Sequence, residues 1–500
     1  MENQGIGDWV HRRRVKSAGA PALVCGEVRR DYAELAERID RLADALAARG
    51  VTRGDRVAYL GPNAPEFLET LFAVTSLGAI FVPLNTRLAA EEIGYQLEDS
   101  GTSLLIHAAE SAPAVPSGGA VPRIVVGDAG SDGYDAVLAS GRPEHVDRPV
   151  SLDDPAAILY TSGTTGKPKG AILSHGNLTW NAINAIVDYD VTSSQVALMV
   201  SPLFHVAALG MGALPTILKG GCLVVQAKFD PAAVLAAIQE HGITSLSGVP
   251  TTYQMLAEHP DWESTDLSSL ESLTCGGSPV PARVAEAYEK RGLAFSSGYG
   301  MTESSPGATS LSPRYSRNKA TTSGLPHFFT DVRVVDPSGA DVATGEIGEI
   351  LVQGPNVFLG YWNRPDATTE TLADGWLHTG DLGFVDEQGF LTIADRSKDM
   401  IISGAENIYP AEVERLLMEL PQIEAVALIG VPDERWGEVG RAIVQPVDGA
   451  TITHEELVAH LDGRIARYKI PKSTVLVEEF PRTASGKIRK NVLRDLYGAP

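Results

Sequence analysis

Apolar residues near the start of the chain recur at the spacing of a helix. Four of them repeat every three or four positions: Leu35, Ile39, Leu42 and Leu46. This spacing predicts an amphipathic helix over Asp31–Arg49 that ends at Gly50. The apolar run Val57–Leu60 then predicts a strand, and the pattern in Glu66–Leu77 predicts another helix.

The same alternation of helix and strand patterns continues towards the middle of the chain. The stretch Phe229–His241 has a helical pattern and stands between two strand-like runs, Cys222–Gln226 and Ile243–Leu246. Alternation of this kind predicts α/β layers around a largely parallel sheet. Around Asp331–Gly354 the pattern changes to short strands separated by turns, which predicts a small β-rich subdomain.

The C-terminal part of the chain has the pattern of a separate unit. Helices are predicted at Pro410–Leu420 and His454–Arg467, with short strand patterns around them. The polar pair Asp395–Arg396 has the character of a domain junction. We therefore expect two domains: residues 1–395, with layered α/β sheets and the small β subdomain, and residues 396–500, with an α+β fold.

Composition limits the classes of ligand that the chain can bind. The 500 residues are 44% hydrophobic and 21% charged, and the formal net charge is −22. So acidic a chain lacks the basic stripe that a nucleic-acid surface needs. An anionic ligand must therefore be bound locally, by backbone N–H groups, lysines and a metal ion.

The spacing of the cysteines and the length of the apolar runs indicate the cellular compartment. Cys25, Cys222 and Cys275 lie far apart and form no metal-binding pair, so no disulfide framework is expected. The basic cluster His11–Lys16 is followed by no apolar core, and the run Phe72–Leu84 is too short to span a bilayer. We expect a cytoplasmic protein without a signal peptide or a membrane span.

The segment Tyr160–Gly170 combines small, hydroxylated and basic residues after a buried strand pattern. Glycines let such a loop turn so that its backbone N–H groups point inward, and hydroxyl groups add donors. The spacing differs from that of the usual phosphate loop, because only two residues stand between Gly163 and Gly166, whereas the usual motif has four. The loop is still predicted to bind a polyphosphate, through Thr161, Ser162, Gly163, Thr164, Thr165, Gly166 and Lys169.

The sequence Thr-Ser-Gly-Thr-Thr-Gly-Lys-Pro-Lys-Gly in this loop resembles the signature of the adenylate-forming (AMP-binding) superfamily. Further segments resemble its other motifs in the same order: Gly276–Val280, Gly298–Glu303, Thr379–Asp381, Asp395–Ile402 and Pro481–Ile488. Together the segments span nearly the full length, and the wider pattern looks most similar to bacterial feruloyl-CoA and fatty-acyl-CoA synthetases. The resemblance implies an α/β fold with a mobile C-terminal domain.

The resemblance implies attack by a substrate carboxylate on the α-phosphate of ATP, with release of pyrophosphate. Because two anions must meet, positioning and neutralisation of charge are expected to supply most of the acceleration. Tyr299 would stack on the adenine, and Asp381 and Arg396 would bind the ribose. Further nucleotide-binding residues implied by the resemblance are Gly276, Gly277, Ser278 and Gly300.

The resemblance also implies residues that act in the chemistry. Lys487 would bridge the attacking carboxylate and the α-phosphate, Thr302 would contact that phosphate, and Glu303 would hold Mg²⁺, which prefers carboxylate and phosphate oxygens. His205 stands where the superfamily has an aromatic gate between the acyl pocket and the thiol tunnel, with a structural histidine as the alternative. Lys490, just after the last motif, is expected to be surface charge.

Three stretches are candidate walls of the acyl pocket: Ala207–Gly212, Val249–Tyr253 and Gly307–Thr309. Ordinary core packing is the alternative for each of them. Small residues on both sides suggest room for a broad or long acid.

The superfamily's usual acceptor is the thiol of coenzyme A, which is reached after the C-terminal domain turns about Asp395. Trp436 corresponds to an aromatic residue that stacks on the adenine of the coenzyme in some relatives, and Lys469 and Lys472 would meet its phosphates. Ala405 replaces a glycine that close relatives have beside the pantetheine. The extra methyl group would obstruct the thiol step if it reaches the tunnel.

The leading hypothesis is an acyl-CoA synthetase that acts on an aromatic, cinnamate-like or medium-chain acid. Because of Ala405, the alternative is an amide synthetase that transfers the acyl group from the adenylate to an amine. A non-enzymatic nucleotide-binding protein is disfavoured, because mere binding does not require a catalytic lysine such as Lys487.

Overall fold

The structure is a computed structural model of the chain. It describes residues 3–117, 121–161, 168–276, 280–396, 399–403, 406–433, 435–483 and 487–499, with residues 396, 406 and 407 described by their backbone only.

The chain divides into two compact units. The first unit consists of Met1–Val332 with Val352–Leu377, and the second of Arg333–Leu351 with His378–Pro500. The predicted hinge at Asp395 concerns a motion rather than this division, and it stays a prediction.

The helices begin and end at capping residues and prolines. In α2, for example, the Asp31 side chain accepts a hydrogen bond from the Glu34 N–H at 2.8 Å, and the Glu34 side chain accepts one from the Asp31 N–H at 3.1 Å, a capping box. The α-helices are α1 Trp9–Ser17, α2 Tyr32–Ala48, α3 Pro65–Ser76, α4 Ala90–Ser100, α5 Tyr134–Ser140, α6 His175–Asp188, α7 Leu214–Lys219, α8 Pro231–His241, α9 Pro250–Ala257, α10 Ala282–Glu289, α11 Pro365–Thr371, α12 Pro410–Leu417, α13 His454–Leu461 and α14 Lys490–Tyr497.

The strands are short and largely buried. They are β1 Pro21–Cys25, β2 Val28–Asp31, β3 Arg56–Leu60, β4 Ile80–Pro83, β5 Leu104–Ala108, β6 Arg123–Val126, β7 Pro155–Thr161, β8 Lys169–Ser174, β9 Val196–Met199, β10 Cys222–Val225, β11 Ser245–Gly248, β12 Ser272–Cys275, β13 Phe295–Tyr299, β14 Thr309–Leu311, β15 Leu325–Pro326, β16 Asp331–Val335, β17 Gly348–Gln353, β18 Gly360–Tyr361, β19 Leu372–Ala373, β20 Trp376–Val385, β21 Leu391–Arg396, β22 Ile401–Ser403, β23 Glu406–Ile408, β24 Ile423–Asp433, β25 Gly437–Pro446 and β26 Ser473–Leu476.

Two large sheets form the first unit. One has the strand order β15-β14-β13-β12-β11-β9-β10-β1-β2, and its neighbours from β13 to β1 pair in parallel. The other has the order β18-β8-β7-β4-β3-β5-β6, with β7, β4, β3, β5 and β6 parallel. Helices and largely parallel strands therefore alternate as predicted, and the predicted α/β fold class is confirmed.

Apolar side chains pack on the first sheet and fix the strands that carry site motifs. Leu246 on β11, Leu273 on β12 and Phe295 on β13 are all buried in one cluster, together with Tyr253 from α9. This packing holds the C-terminal ends of β12 and β13 side by side, where ligands bind in parallel sheets.

The second unit contains a sheet of β23, β22, β25 and β24, with β26 parallel to β25. Val413 of α12 and Leu457 of α13 pack into the same apolar cluster as Leu428 of β24. The predicted helix His454–Arg467 is wrong in its extent, because α13 ends at Leu461. Gly463 there has a φ of +75°, a left-handed conformation that ends helices.

None of the described helices has both the length and the apolar character needed to cross a lipid bilayer.

Candidate active site

The predicted phosphate loop connects two paired strands. Antiparallel pairing of β7 with β8 places Thr161 opposite Lys169, and the Thr161 hydroxyl donates to the Lys169 carbonyl at 3.4 Å. The loop therefore leaves and re-enters the sheet at one point. Its other predicted residues lie outside the described part of the chain: Ser162, Gly163, Thr164, Thr165 and Gly166.

Tyr361 joins the end of this loop to the predicted metal ligand. The Lys169 Nζ lies 5.0 Å from the centroid of the Tyr361 ring. The Tyr361 hydroxyl donates to Glu303 Oε1 at 2.7 Å. The structure thus brings together two predicted site residues that are more than a hundred positions apart.

The segment around Glu303 is fastened by a strap of the chain, residues 355–361. The backbone N–H of Phe358 donates to the Glu303 carbonyl at 2.9 Å. Asn356, which is fully buried, donates from Nδ2 to the carbonyls of Ser304 at 2.8 Å and Gly307 at 2.6 Å. Because these donors satisfy buried carbonyls, the turn that carries Thr302 and Glu303 has a fixed conformation.

Electrostatics at this point favour a protonated tyrosine beside the Glu303 carboxylate. Burial raises the pKa of Tyr361 well above its ordinary value, and the negative charge of Glu303 raises it further. Tyr361 therefore acts as a hydrogen-bond donor at neutral pH. Glu303 is itself buried, with 5% of its surface exposed.

Glu303 fits a magnesium ion by the chemistry of its donor atoms. Mg²⁺ in nucleotide sites is typically held by one or two carboxylates together with substrate phosphates. A buried carboxylate that is oriented by a tyrosine hydroxyl matches that pattern.

The predicted adenine-binding residues lie at the ends of neighbouring strands. Gly276 follows β12, and its N–H donates to the Gly248 carbonyl at 3.0 Å. Tyr299 ends β13 and pairs with Thr309 of β14. A side chain at Gly300 would overlap the Pro306 carbonyl, which explains the glycine there. Gly277 and Ser278, the other predicted residues of this motif, lie outside the described part of the chain.

Two of the three candidate acyl-pocket walls meet. The segment Ala208–Ala213 is a π-helix, a form found frequently at functional sites. Asn181 donates to the Gly210 carbonyl at 2.9 Å and accepts from the Gly307 N–H at 2.9 Å. A Cβ on Gly210 would lie 2.6 Å from the Ser305 carbonyl, so the two walls pack too closely for a larger residue.

The third candidate wall contributes Tyr253 to the core instead. Tyr253 is fully buried, and its hydroxyl donates to the carbonyls of Leu246 and Thr274 at 2.8 and 2.7 Å. Core packing therefore accounts for this residue.

His205, the predicted gate, is half-buried at the start of the turn that enters the π-helix. Its backbone N–H donates to the Pro202 carbonyl at 3.1 Å, and its ring centroid lies 4.7 Å from that of Phe204. The gating role stays a prediction.

In the second unit, the two predicted ribose-binding residues occupy one hairpin. Asp381 of β20 lies directly opposite Arg396 of β21 in the antiparallel register. The Thr379 hydroxyl accepts from the Asp381 N–H at 3.1 Å and donates to the Ile350 carbonyl at 2.7 Å. The predicted motif Thr379–Asp381 is thus built around this hydroxyl.

Lys487 is exposed and stands beside a narrow loop. The Thr483 N–H donates to the Lys487 carbonyl at 2.7 Å, and the Lys487 N–H donates to the Thr483 hydroxyl at 3.1 Å. A β-bridge between Arg482 and Ile488 closes the base of the loop. Residues 484–486 lie outside the described part of the chain.

Lys490 is not surface charge, contrary to the sequence-based expectation. Its Nζ lies 2.8 Å from Glu414 Oε1, and only 16% of its side chain is exposed. Glu414 also accepts from the Leu428 N–H at 2.7 Å. Burial lowers the pKa of Lys490, but the acidic neighbours Glu414 and Asp395 raise it by more than burial lowers it, so the net shift is upward.

The predicted coenzyme-binding residues differ in their surroundings. Trp436 is 43% exposed, and the Arg435 guanidinium lies 4.7 Å from its ring centroid. Lys469 forms an ion pair with Glu412 at 2.6 Å. Ala405 lies outside the described part of the chain.

Sequence reasoning missed Tyr361, Asn356 and Asn181. Sequence analysis identified their partners Glu303 and Gly307. Tyr361, Asn356 and Asn181 themselves lie outside the motifs and candidate walls, and far from these partners in sequence. Only the pairing of β18 with β8 and the packing of α6 bring them to the site.

Comparison with known proteins agrees with this arrangement. Residues 10–362 match the profile of the AMP-binding enzyme family, and residues 412–487 match the AMP-binding enzyme C-terminal domain. A feruloyl-CoA synthase of Amycolatopsis sp is 52% identical over the full length of both chains. An indoleacetate–CoA ligase of Aromatoleum aromaticum is 43% identical over 98% of each chain.

A solved structure has the same fold. The o-succinylbenzoate CoA synthetase of Bacillus subtilis, in complex with its acyl-adenylate intermediate, superimposes with a TM-score of 0.88 at 33% identity and covers 98% of both chains. The resemblance predicted from the sequence motifs is confirmed: the chain belongs to the AMP-binding enzyme family.

Proposed function

We propose that this protein is an AMP-forming acid–coenzyme A ligase that activates an aromatic carboxylic acid. The observation that carries this conclusion is the 52% identity with a feruloyl-CoA synthase along the whole of both chains. The predicted acid–thiol ligase activity is confirmed at the level of the family. The identity of the acid is the new part of the proposal.

In the first half-reaction, a carboxylate oxygen of the acid attacks the α-phosphorus of ATP. The bond from that phosphorus to the pyrophosphate breaks, and pyrophosphate leaves with the bonding electrons. Lys169 and the loop before it bind the phosphates, and Thr302 contacts the α-phosphate. Lys487 stabilises the negative charge that accumulates in the transition state, where a fixed positive charge has its largest effect.

Glu303 would hold Mg²⁺, which would neutralise phosphate charge when bound. Tyr299 stacks on the adenine, between the ends of β13 and β14. Asp381 and Arg396 bind the ribose from the β20–β21 hairpin.

In the second half-reaction, the sulfur of coenzyme A attacks the acyl carbonyl carbon, and AMP leaves. The thioester forms as the acyl–phosphate bond breaks, and the thiol proton is released. Trp436 is exposed enough to stack on the coenzyme's adenine. The relatives named above are coenzyme A ligases and a coenzyme A synthetase, which does not favour the amide synthetase alternative.

An aromatic acid is supported by the names of two relatives. Feruloyl and indoleacetate groups both contain an aromatic ring.

Incubation with Mg-ATP, coenzyme A, a simple amine and a panel of acids tests the proposal. The panel contains hydroxycinnamic, cinnamic, arylacetic and medium-chain fatty acids, and products are identified by mass spectrometry. We expect a hydroxycinnamoyl or other aryl thioester as the main product. Omission of coenzyme A should leave acyl-AMP at an amount close to that of the enzyme.

Two outcomes would contradict the proposal. A main product that contains the amine would mean that an amide synthetase is the correct assignment. A fatty acyl thioester as the main product would keep the ligase activity but remove the aromatic specificity.

A further inference from the structure

Tyr361 contacts both of the charged residues that are predicted to hold the triphosphate and its metal in the first unit. Its hydroxyl donates to Glu303 Oε1 at 2.7 Å, and its ring centroid lies 5.0 Å from Lys169 Nζ. No motif used to predict the site includes this tyrosine. It is the shared neighbour of the phosphate loop and of the turn that carries Glu303.

The backbone around Tyr361 is well fixed. Pairing of β18 with β8 places Tyr361 opposite Ala171, two residues after Lys169. The Tyr361 N–H donates to the Thr368 hydroxyl at 2.9 Å, and the ring packs edge-on against Phe358 with centroids 4.9 Å apart. The tyrosine therefore has little freedom to move away from Glu303.

The hydrogen bond to Oε1 fixes the plane of the Glu303 carboxylate. Residues that donate to a metal-binding side chain orient it and tune its affinity. The direction in which Glu303 presents its oxygen lone pairs is thus set by Tyr361.

The ring of Tyr361 has a separate effect on Lys169. An ammonium group near an aromatic ring is attracted to the ring face. This contact holds the Lys169 ammonium group beside the residue whose hydroxyl binds Glu303. The hydroxyl and the ring therefore act on different site residues, and substitutions can separate the two effects.

We propose that Tyr361 is the positioning residue that orients Glu303 for the metal ion and Lys169 for the phosphates of ATP. This inference rests on the proposed function, because it takes Glu303 as the metal ligand. It adds a residue that serves the binding step without contact to the reacting atoms.

Binding of Mn²⁺ to the enzyme–ATP complex, measured by electron paramagnetic resonance without any acid present, tests the role of the hydroxyl. In Tyr361→Phe the ring remains and the hydrogen bond is lost. We expect the Mn²⁺ affinity to fall about tenfold, and the half-saturating Mg²⁺ concentration for acid-dependent pyrophosphate release to rise by a similar factor. Binding of ATP in the absence of metal should stay within about twofold of that of the unmodified protein.

A second variant tests the role of the ring. Tyr361→Leu removes both contacts, so we expect the same loss of Mn²⁺ affinity and, in addition, a two- to fivefold weaker affinity for metal-free ATP, about the size of one cation–π contact. In a Glu303→Ala background, Tyr361→Phe should have no further effect on Mn²⁺ binding, because the two residues act through one interaction.

Tyr134→Phe is the matched control. The buried Tyr134 donates to Glu69 Oε2 at 2.9 Å, so the control loses the same kind of hydrogen bond elsewhere in the first unit. It should change the melting temperature but not the Mn²⁺ affinity. An unchanged Mn²⁺ affinity in Tyr361→Phe, or an equal loss in Tyr134→Phe, would overturn the proposal.

These results are separable from a failure of the proposed function. If no acid yields an acyl-AMP, the ligase assignment fails, whereas Mn²⁺ and ATP binding still report on Tyr361.

Discussion

The turn that carries Glu303 and the loop that carries Lys487 are held in opposite ways. The Glu303 turn is buried, and three donors from one strap hold it: Asn356, the Phe358 N–H and the Tyr361 hydroxyl. Around Lys487, the described hydrogen bonds connect neighbouring residues of the same loop, as between Thr483 and Lys487. Lys487 itself is exposed.

This difference in support corresponds to the different roles proposed for Glu303 and Lys487. A metal ligand must present its oxygens in one direction before the substrate arrives, so rigid support lowers the cost of binding. On the proposed domain alternation, a lysine that serves one half-reaction and is withdrawn for the other would need a loop that keeps its own shape. The hydrogen bonds between Thr483 and Lys487 connect the two sides of this loop.

The largest effect is expected from Lys487→Ala. The rate of acyl-AMP formation should fall at least ~100-fold, because a charge aimed at the transition state is removed. Conversion of supplied acyl-AMP to the thioester should remain within a few-fold of normal. Pyrophosphate release and thioester formation, measured separately, check both expectations.

An exposed lysine of the first unit serves as the control for Lys487. Lys290→Ala should leave both half-reactions unchanged, since Lys290 lies at the end of α10. If Lys487→Ala forms acyl-AMP at the normal rate, Lys487 does not act in adenylation, and the comparison of the two segments no longer holds.

Asn356→Ala tests whether the Glu303 turn depends on its hydrogen bonds to the strap. The substitution leaves the buried carbonyls of Ser304 and Gly307 without these donors, so the free energy of unfolding should fall by about 2–4 kcal/mol. Adenylation should slow as well, because the Glu303 turn loses its support. Urea denaturation and pyrophosphate release are the measurements.

Asn177 provides a matched variant, since it donates to the carbonyls of Pro355 and Val357 at 2.9 and 2.7 Å. Asn177→Ala should lose similar stability but less adenylation activity, because it does not contact the Glu303 turn. Equal activity losses in the two variants would contradict a specific role for the contact of Asn356 with the Glu303 turn, because Asn177 holds the strap without touching that turn.

Lys490→Met is expected to have the smallest effect. It breaks the ion pair with Glu414 at the start of α14, directly after the Lys487 loop. The free energy of unfolding should fall by about 2 kcal/mol, less than for a fully buried pair. Adenylation should slow several-fold more than the thiol step. Equal slowing of both steps would mean that Lys490 supports the unit as a whole rather than the loop.

The sequence was sufficient for most of the regular elements and for the family. The apolar spacing in Leu35–Leu46 predicted α2 because a surface helix must bury one face. The same reasoning extended α13 too far, since the pattern persists beyond Leu461 while Gly463 adopts a left-handed conformation.

The supporting contacts could not be predicted, because they depend on strand pairing between distant segments. Nothing near Tyr361 indicates that it will lie beside Ala171 and reach Glu303. Lys490 looked like surface charge for a similar reason, since its partner Glu414 lies on another helix. Motifs identify the residues that contact a ligand, whereas the residues that orient them emerge only from the fold.

The register of β20 and β21 has a consequence for how this enzyme can change. Asp381 and Arg396 are paired across one hairpin. Insertions in the turn at Asp386–Gly389 are tolerable, because they leave the ladder aligned, and β21 already accommodates one extra residue, Ala394, between that turn and the pair. An engineer who exchanges this hairpin between relatives would therefore transfer both residues at once.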